Sequence, residues 1–217
     1  GFIRGTDNGF QEGEPSDFDV DPLPLRILPT VHPAYVLRNR RWTRAFRSDI
    51  GRGLRWFLGA LKWIDPEVIL FPTASELRLF FARPEPFFSV DIETDAKDPL
   101  VARIRCIAAS TADGSKVLCS GIRPIKGDYF TRKTGSYLPG YTDAELTEII
   151  DLWRAFLLDH RITKLGQNFG IYDRLVLKEQ WATDPYPIAD TILMHAVVDP
   201  EMPHNLAFIG SMYTDVT

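Results

Sequence analysis

The sequence predicts an α/β fold in which a mixed sheet is covered by helices. Three observations carry that expectation. Short apolar runs of strand length recur at Val68–Phe71, Phe87–Glu93, Ile104–Thr111, Lys116–Ser120 and Lys164–Asn168, with stretches of helical period between and after them. Asp113-Gly114 is a two-residue hairpin turn joining the third and fourth of those runs. From Phe87 onward the order reads β-β-β-α-β-α-α-α, which suits a sheet flanked by helices.

Taken in order, the first twenty-odd residues are polar and Gly-rich and read as loop. Leu25–Val31 reads as a short buried strand ending in the loop His32-Pro33-Ala34-Tyr35. From Trp42 to Ile64 the apolar positions Trp42, Ala45, Phe46, Ile50, Leu54, Phe57, Leu58 and Leu61 recur at threes and fours, a long amphipathic helix that Gly51 and Gly53 weaken. Thr73 or Ser75 caps a helix running to about Ala82, with Glu76 where the helix dipole favours an anion.

Pro84 and Pro86 then punctuate the chain and suggest two parts, 1–83 and 84–217. Residues 121–141 read as a long loop or insertion. Thr142 and Glu145 form a capping box ahead of the apolar stripe Leu146, Ile149, Ile150, Trp153, Phe156 and Leu157. Ile171–Trp181, Ile188–Val198 and Asn205–Met212 complete the helices.

With 217 residues, 45% hydrophobic and 25% charged, the chain can bury a sizeable core, and its net charge of −4 argues against non-specific coating of nucleic acid. No run approaches the ~18–20 apolar residues of a membrane span, and Gly1–Asp19 is unlike a secretory signal. A cytoplasmic protein of a bacterial or phage-infected cell is the expectation. Cys106 and Cys119 fall on the two hairpin strands. With Ala112 facing Ser115, Cys106 faces Gly121 and Cys119 faces Ala108, so the thiols are diagonal neighbours and are expected to stay reduced.

The chemistry concentrates in Phe87-Phe88-Ser89-Val90-Asp91-Ile92-Glu93-Thr94-Asp95, an apolar strand that acquires two acids two residues apart. Side chains at i and i+2 project from one strand face, so Asp91 and Glu93 stand together. Neighbouring carboxylates repel and need a proton or a cation, and magnesium and manganese prefer such oxygen ligands. Lys164-Leu165-Gly166-Gln167-Asn168-Phe169-Gly170-Ile171-Tyr172-Asp173 places a further acid at a helix start, able to point back across the sheet end.

Asp91-Ile92-Glu93-Thr94 followed by Gly166-Gln167-Asn168 and Tyr172-Asp173 resembles the first two motifs of the DEDD-superfamily 3′–5′ exonucleases. The likeness is to the proofreading domain of A-family DNA polymerases, and it covers about Phe87 to Thr217. Asp190-Thr191 is similar to the Asp-Thr that follows the second motif there. The resemblance implies an RNase H-like fold and two Mg2+ or Mn2+ ions held by four carboxylates, of which Asp91, Glu93 and Asp173 match. It further implies that Thr94, Gln167, Asn168 and Tyr172 line a cleft for the single-stranded or frayed 3′ end of DNA, in a protein whose polymerase domain follows. Asp91 would bridge the metals.

The family's third motif, Tyr-x-x-x-Asp or its His counterpart, does not follow at the expected distance. Tyr213 and Asp215 are two apart. His195 and Asp199 have i, i+4 spacing but read as an ordinary helix with a polar edge. The expectation is a domain incomplete at its C-terminus that binds metal weakly and cuts DNA poorly. A catalytically inactive DNA-binding module is the alternative.

Leu28-Pro29-Thr30-Val31-His32-Pro33-Ala34-Tyr35-Val36-Leu37-Arg38 resembles the C-terminal end of family 4-type uracil-DNA glycosylases, which implies a partial α/β glycosylase-like segment with His32 in a DNA-contacting loop. The family's water-activating motif is absent upstream, and Gly13-Glu14-Pro15 stands too near His32 to be it, so no glycosylase activity is expected and His32 would be vestigial. A glycosylase remnant active in DNA repair is a further reading of the whole chain. Arg38, Arg40, Arg41, Arg44, Arg47, Arg52 and Arg55 crowd one segment and read either as a solvated helix face or as phosphate contacts. Trp42, Trp56 and Trp63 among them read as core.

Overall fold

A computed structural model describes residues 28–60, 65–124, 129–131 and 137–214, the strand residues 129–131 and 137–139 by their backbone alone. The chain opens with helix α1 (Pro33–Arg38), a 3-10 turn at Arg40–Trp42 and helix α2 (Thr43–Phe57). Strand β1 (Glu67–Leu70), helix α3 (Ala74–Phe81), and strands β2 (Phe87–Thr94), β3 (Ile104–Ser110) and β4 (Lys116–Gly121) follow. Then come β5 (Tyr129–Thr131), β6 (Tyr137–Pro139), α4 (Asp143–Leu158), β7 (Thr163–Gly166), α5 (Asp173–Trp181), β8 (Ile188–Asp190), α6 (Thr191–Val198) and α7 (Leu206–Tyr213). Two compact units result. One is Ile64–Pro200, and the described residues on either side of it form the other.

The larger unit is a six-stranded mixed sheet in the order β1-β4-β3-β2-β7-β8, flanked by helices, the α/β arrangement that the sequence predicts. β2 lies inside it, antiparallel to β3 and parallel to β7. The sheet takes in β1, which precedes the division at residue 84 suggested by the prolines. The hairpin register is the one that the Asp-Gly turn dictates, with Cys106 opposite Gly121 and Cys119 opposite Ala108, and both thiols free.

Helix starts follow their capping chemistry. Thr73 and Thr142 each accept the N3 backbone N–H while Glu76 and Glu145 return the bond, two complete capping boxes. These boxes aim α3 and α4 at one another, and their aromatic faces interlock with the sheet. Phe81 stacks on Phe156 with centroids 4.0 Å apart, and Trp153 and Phe88 meet the same pair edge-on. Trp153 keeps its indole N–H satisfied by Ser120 Oγ at 2.9 Å, so the ring is buried without an orphaned donor.

Several sequence expectations change. Residues 28–31 form no strand, and the rest of the predicted Leu25–Val31 strand lies outside the described residues. His32-Pro33 is a helix start instead of a loop. Pro33 sits in the first turn, and His32 Nδ1 accepts the Ala34 N–H at 3.1 Å. The long Trp42–Ile64 helix ends at Phe57, beyond which the backbone turns at Gly59 with φ +66. Two short strands, β5 and β6, pair within the segment read as loop. Ile188–Asp190 is the edge strand β8 and not the first turn of a helix, because its backbone pairs with β7 before Asp190 caps α6. Asp215, the Gly13-Glu14-Pro15 triplet and the N-terminal loop lie outside the described residues.

In the smaller unit, Ala45 with Met202, Phe208 and Met212 makes a small core on which Trp42 packs. Asp49 is buried there and accepts the Thr30 hydroxyl at 2.7 Å. Arg52 is buried too, its guanidinium bonded to the Ser211 carbonyl, which takes it out of the solvated arginine cluster.

Lys164 is fully buried at the start of β7, its Nζ donating to the carbonyls of Asp159 at 2.6 Å and Tyr186 at 3.2 Å beside the Phe156 ring. Burial pulls its ammonium down to about 8. Between that value and the ~10.4 of an unfolded lysine the unfolded chain holds more protons, so stability rises with pH across the window. Thermal melts from pH 8 to 10 should show that rise in the wild type, and Lys164→Met should flatten it. Asp190, also buried, accepts the N–H groups of Asn168 at 2.9 Å, Gly170 at 3.0 Å and Ile192 at 3.0 Å. Asp190→Ala orphans all three and is expected to cost about 2–4 kcal/mol in a denaturant titration.

Candidate active site

Asp91 and Glu93 lie near the C-terminal end of β2 on the same sheet face, opposite Ala108 and Cys106 of β3. The alternation that buries Phe88, Val90 and Ile92 turns both acids to the other side, where they are exposed. The register with β3 shifts between Glu93 and Thr94, an irregularity that ends regular pairing just past the acids. On its other edge β2 pairs with β7 only at Phe87, Phe88 and Ser89. Past Ser89 that edge is open, and the Ile92 N–H finds its acceptor elsewhere. Asp173 Oδ1 takes it at 3.3 Å.

That bond brings the third acid to the other two, since Ile92 is the residue between Asp91 and Glu93. It depends on a tight turn between β7 and α5. Gly166 is required there by close approach, because a Cβ would come within 2.7 Å of the Phe169 Cβ. Asn168 takes a left-handed conformation, φ 61, which asparagine tolerates better than other side chains. The buried carboxylate of Asp190 then gathers the Asn168 and Gly170 N–H groups. Thr191 Oγ1 donates to the Gly166 carbonyl at 3.2 Å and bonds the Gln167 amide oxygen as well. With the turn held from β8, α5 starts at Asp173 with its carboxylate against β2.

The acids carry uncompensated charge. Desolvation of its inner side by the surrounding protein, then the neighbouring Glu93, raises the carboxyl of Asp91, which keeps an exposed face, above the usual range. Burial, then the negative charge of Asp91, pushes Asp173 up to about 7. Among the described residues none of the three has a lysine or arginine partner at ion-pair distance. Hard oxygen donors that raise one another's proton affinity suit a divalent cation. Among the described residues no three His, Cys, Asp or Glu side chains converge as a ready-made cage.

Beside them, Tyr172 fixes the loop after β2. Its hydroxyl, Thr94 Oγ1 and the Ala96 carbonyl oxygen form a tight triangle in which the hydroxyls lie 2.6 Å apart and share their two protons with that carbonyl. Thr94, Asp95, Ala96, Lys97 and Tyr172 line an open cleft of about 480 Å3. Thr94 and Tyr172, predicted from the sequence, stand in it. Gln167 and Asn168 serve the turn beneath Asp173. Sequence reasoning missed Lys97 and the clamp role of Asp190. The first was signalled only by its place just past the acid strand, the second by the Asp-Thr pair at a helix start. His195 is buried in α6, and Asp199 caps that helix through its N–H to the His195 carbonyl.

No curated protein matches the chain in sequence. Solved nucleases match it in structure at low identity. NrnC of Brucella melitensis is 20% identical with a TM-score of 0.45, over 72% of this chain and 63% of its own. RNase D of Escherichia coli is 18% identical with a TM-score of 0.47, over 71% and 34%. RNase D of Trypanosoma brucei is 17% identical with a TM-score of 0.44, over 62% and 41%. The chain thus spans less than two thirds of each. None of these findings supports the glycosylase likeness of the His32 segment, which precedes the family match described next. Residues 71–217 match the model of the 3′–5′ exonuclease family, a stretch that contains Asp91, Glu93 and Asp173 together with the turn that positions them, and the chain belongs to that family.

Proposed function

We propose that the chain hydrolyses polynucleotides from the 3′ end with two divalent ions, Mg2+ or Mn2+, and that DNA is the substrate, in the manner of a proofreading domain attached to a DNA polymerase. The observation that carries this reading is the Asp173 carboxylate seated on the Ile92 N–H, between Asp91 and Glu93. The family is divalent-metal dependent. No helix among the described residues is long and apolar enough to cross a membrane.

Asp91, Glu93 and Asp173 would hold the metals, and Asp91 is the one whose charge bears on both of the others. Bound divalent ions supply an activated water and neutralise charge on the leaving 3′-oxygen. The chain's own contribution is placement. The sheet and the Asp190-clamped turn fix where the acids stand. Tyr172 and Thr94, locked to the Ala96 carbonyl, form a rigid wall for the terminal nucleotide, with the exposed Lys97 at its rim.

Two experiments test the reading. The first is a melting series in chelator and in manganese. Without metal, Asp173 binds a proton more tightly when folded, so stability falls as pH rises from about 4 to 7, and Asp173→Asn should melt higher than the wild type at pH 7.5 but not at pH 4. With manganese at about 100 times its dissociation constant the wild type should gain about 2.7 kcal/mol, and Asp91→Ala and Asp173→Asn should gain little. Equal shifts in all three proteins would leave the inactive DNA-binding alternative standing.

The second experiment uses single strands of DNA and RNA labelled at the 5′ end. Metal-dependent shortening from the 3′ end is expected, faster on DNA and lost in Asp91→Asn. Shortening that survives Asp91→Asn, or cleavage at internal positions, would overturn the assignment.

A further inference from the structure

The charges of this chain are segregated. Residues 28–60 carry seven arginines and a single acid, Asp49, while the chain as a whole has 29 acids against 25 basic residues. The structure sorts those arginines. Arg52 is buried and bonded to the Ser211 carbonyl, and Asp49 is buried and bonded to Thr30. Arg38, Arg40, Arg41 and Arg47 are exposed, on α1, on the 3-10 turn and on the first turns of α2. Arg44, one turn from Arg40 and three residues from Arg47, is exposed as well, lying over the Tyr213 ring. The only acid of residues 28–60 is turned inward, so the exposed charges of this segment are all positive, and Glu201 is the exposed acid among the unit's other described residues.

That surface answers a physical difficulty of the catalytic unit. A phosphodiester backbone approaching Asp91, Glu93 and Asp173 meets negative charge, and the sheet-bearing residues around them are acidic on balance. Affinity for a polyanion must then come from a separate positive surface. We infer that the exposed arginines of α1, the 3-10 turn and α2 form a second polynucleotide-binding surface that grips the phosphate backbone without reading sequence. Its chemistry supports the backbone over the bases. Guanidinium forks match phosphate oxygens, whereas Trp42, the ring that Arg41 lies over, packs edge-on against Phe208 with centroids 6.2 Å apart. This inference stands on the arginine surface and the family's polynucleotide substrate, and it needs no metal at the acids.

The test is binding of 20-nucleotide single strands, DNA and RNA in separate arms, by the full chain in chelator, where no cleavage occurs. The combined variant Arg40→Glu, Arg41→Glu, Arg47→Glu should weaken binding at least tenfold at 0.1 M salt. It should also lower the slope of log affinity against log salt by about 2, as expected for three lost single-strand contacts. The corresponding triple arginine-to-lysine variant keeps the charge and should bind within a few-fold of wild type, which separates loss of contact from loss of fold. Every arm is read as binding in chelator and not as cleavage, so a failure of the exonuclease reading is distinguishable from a failure here. Equal binding by DNA and RNA fits a backbone grip. An unchanged affinity and salt slope in the glutamate variant would overturn the inference, as would binding of the wild type to phosphatidylserine vesicles but not to either strand.

Discussion

The candidate site depends on one hydrogen bond, from the Ile92 amide to the Asp173 carboxylate. A strand edge that loses its partner must satisfy its N–H groups some other way, and here the substitute acceptor is an acid. The same contact that completes the backbone of β2 therefore also carries a negative charge to the side of Asp91. The arrangement is costly in the absence of a cation, as the raised proton affinity of Asp91 and Asp173 records. It persists because the turn from Gly166 to Tyr172 is fixed from beneath by Asp190, which is itself neutralised locally by backbone N–H groups and the start of α6. Strain at the site is thus carried by hydrogen bonds away from it, a division of labour common to preorganised sites.

How much of this was legible in the sequence depends on the range of the interaction that decides each element. The β3–β4 register follows from two residues, Asp113 and Gly114, because a tight turn leaves one pairing. α4 was announced by its capping box and α3 by a capping residue, Thr73 or Ser75, with Glu76 in its first turn, all contacts within three residues. Asp91 and Glu93 were visible as a break in an apolar alternation. Long-range contacts were not visible. β8 has three residues and merges into the apolar run of α6, so only its pairing with β7 reveals it. The clamp by Asp190 joins residues about twenty apart, and no local pattern distinguishes it from an ordinary helix cap. His32, read as a loop residue by resemblance, caps a helix because Pro33 is suited to a first turn. Lys164 would be taken for a solvated residue on its chemistry, yet its ammonium is fully buried against two carbonyls.

The two units divide the electrostatic work that a nuclease must do. Metal ligation requires carboxylates close enough to repel, and polyanion affinity requires the opposite sign. A single small surface cannot maximise both, since each arginine near the acids would pair with them and lower their value as metal ligands. Here the described residues show no cation paired with Asp91, Glu93 or Asp173, while the segment richest in arginine keeps its one acid buried. Lys97, exposed at the cleft rim, is the exception that helps to define the rule. It stands beside Tyr172 and Thr94 in the open cleft and not among the acids.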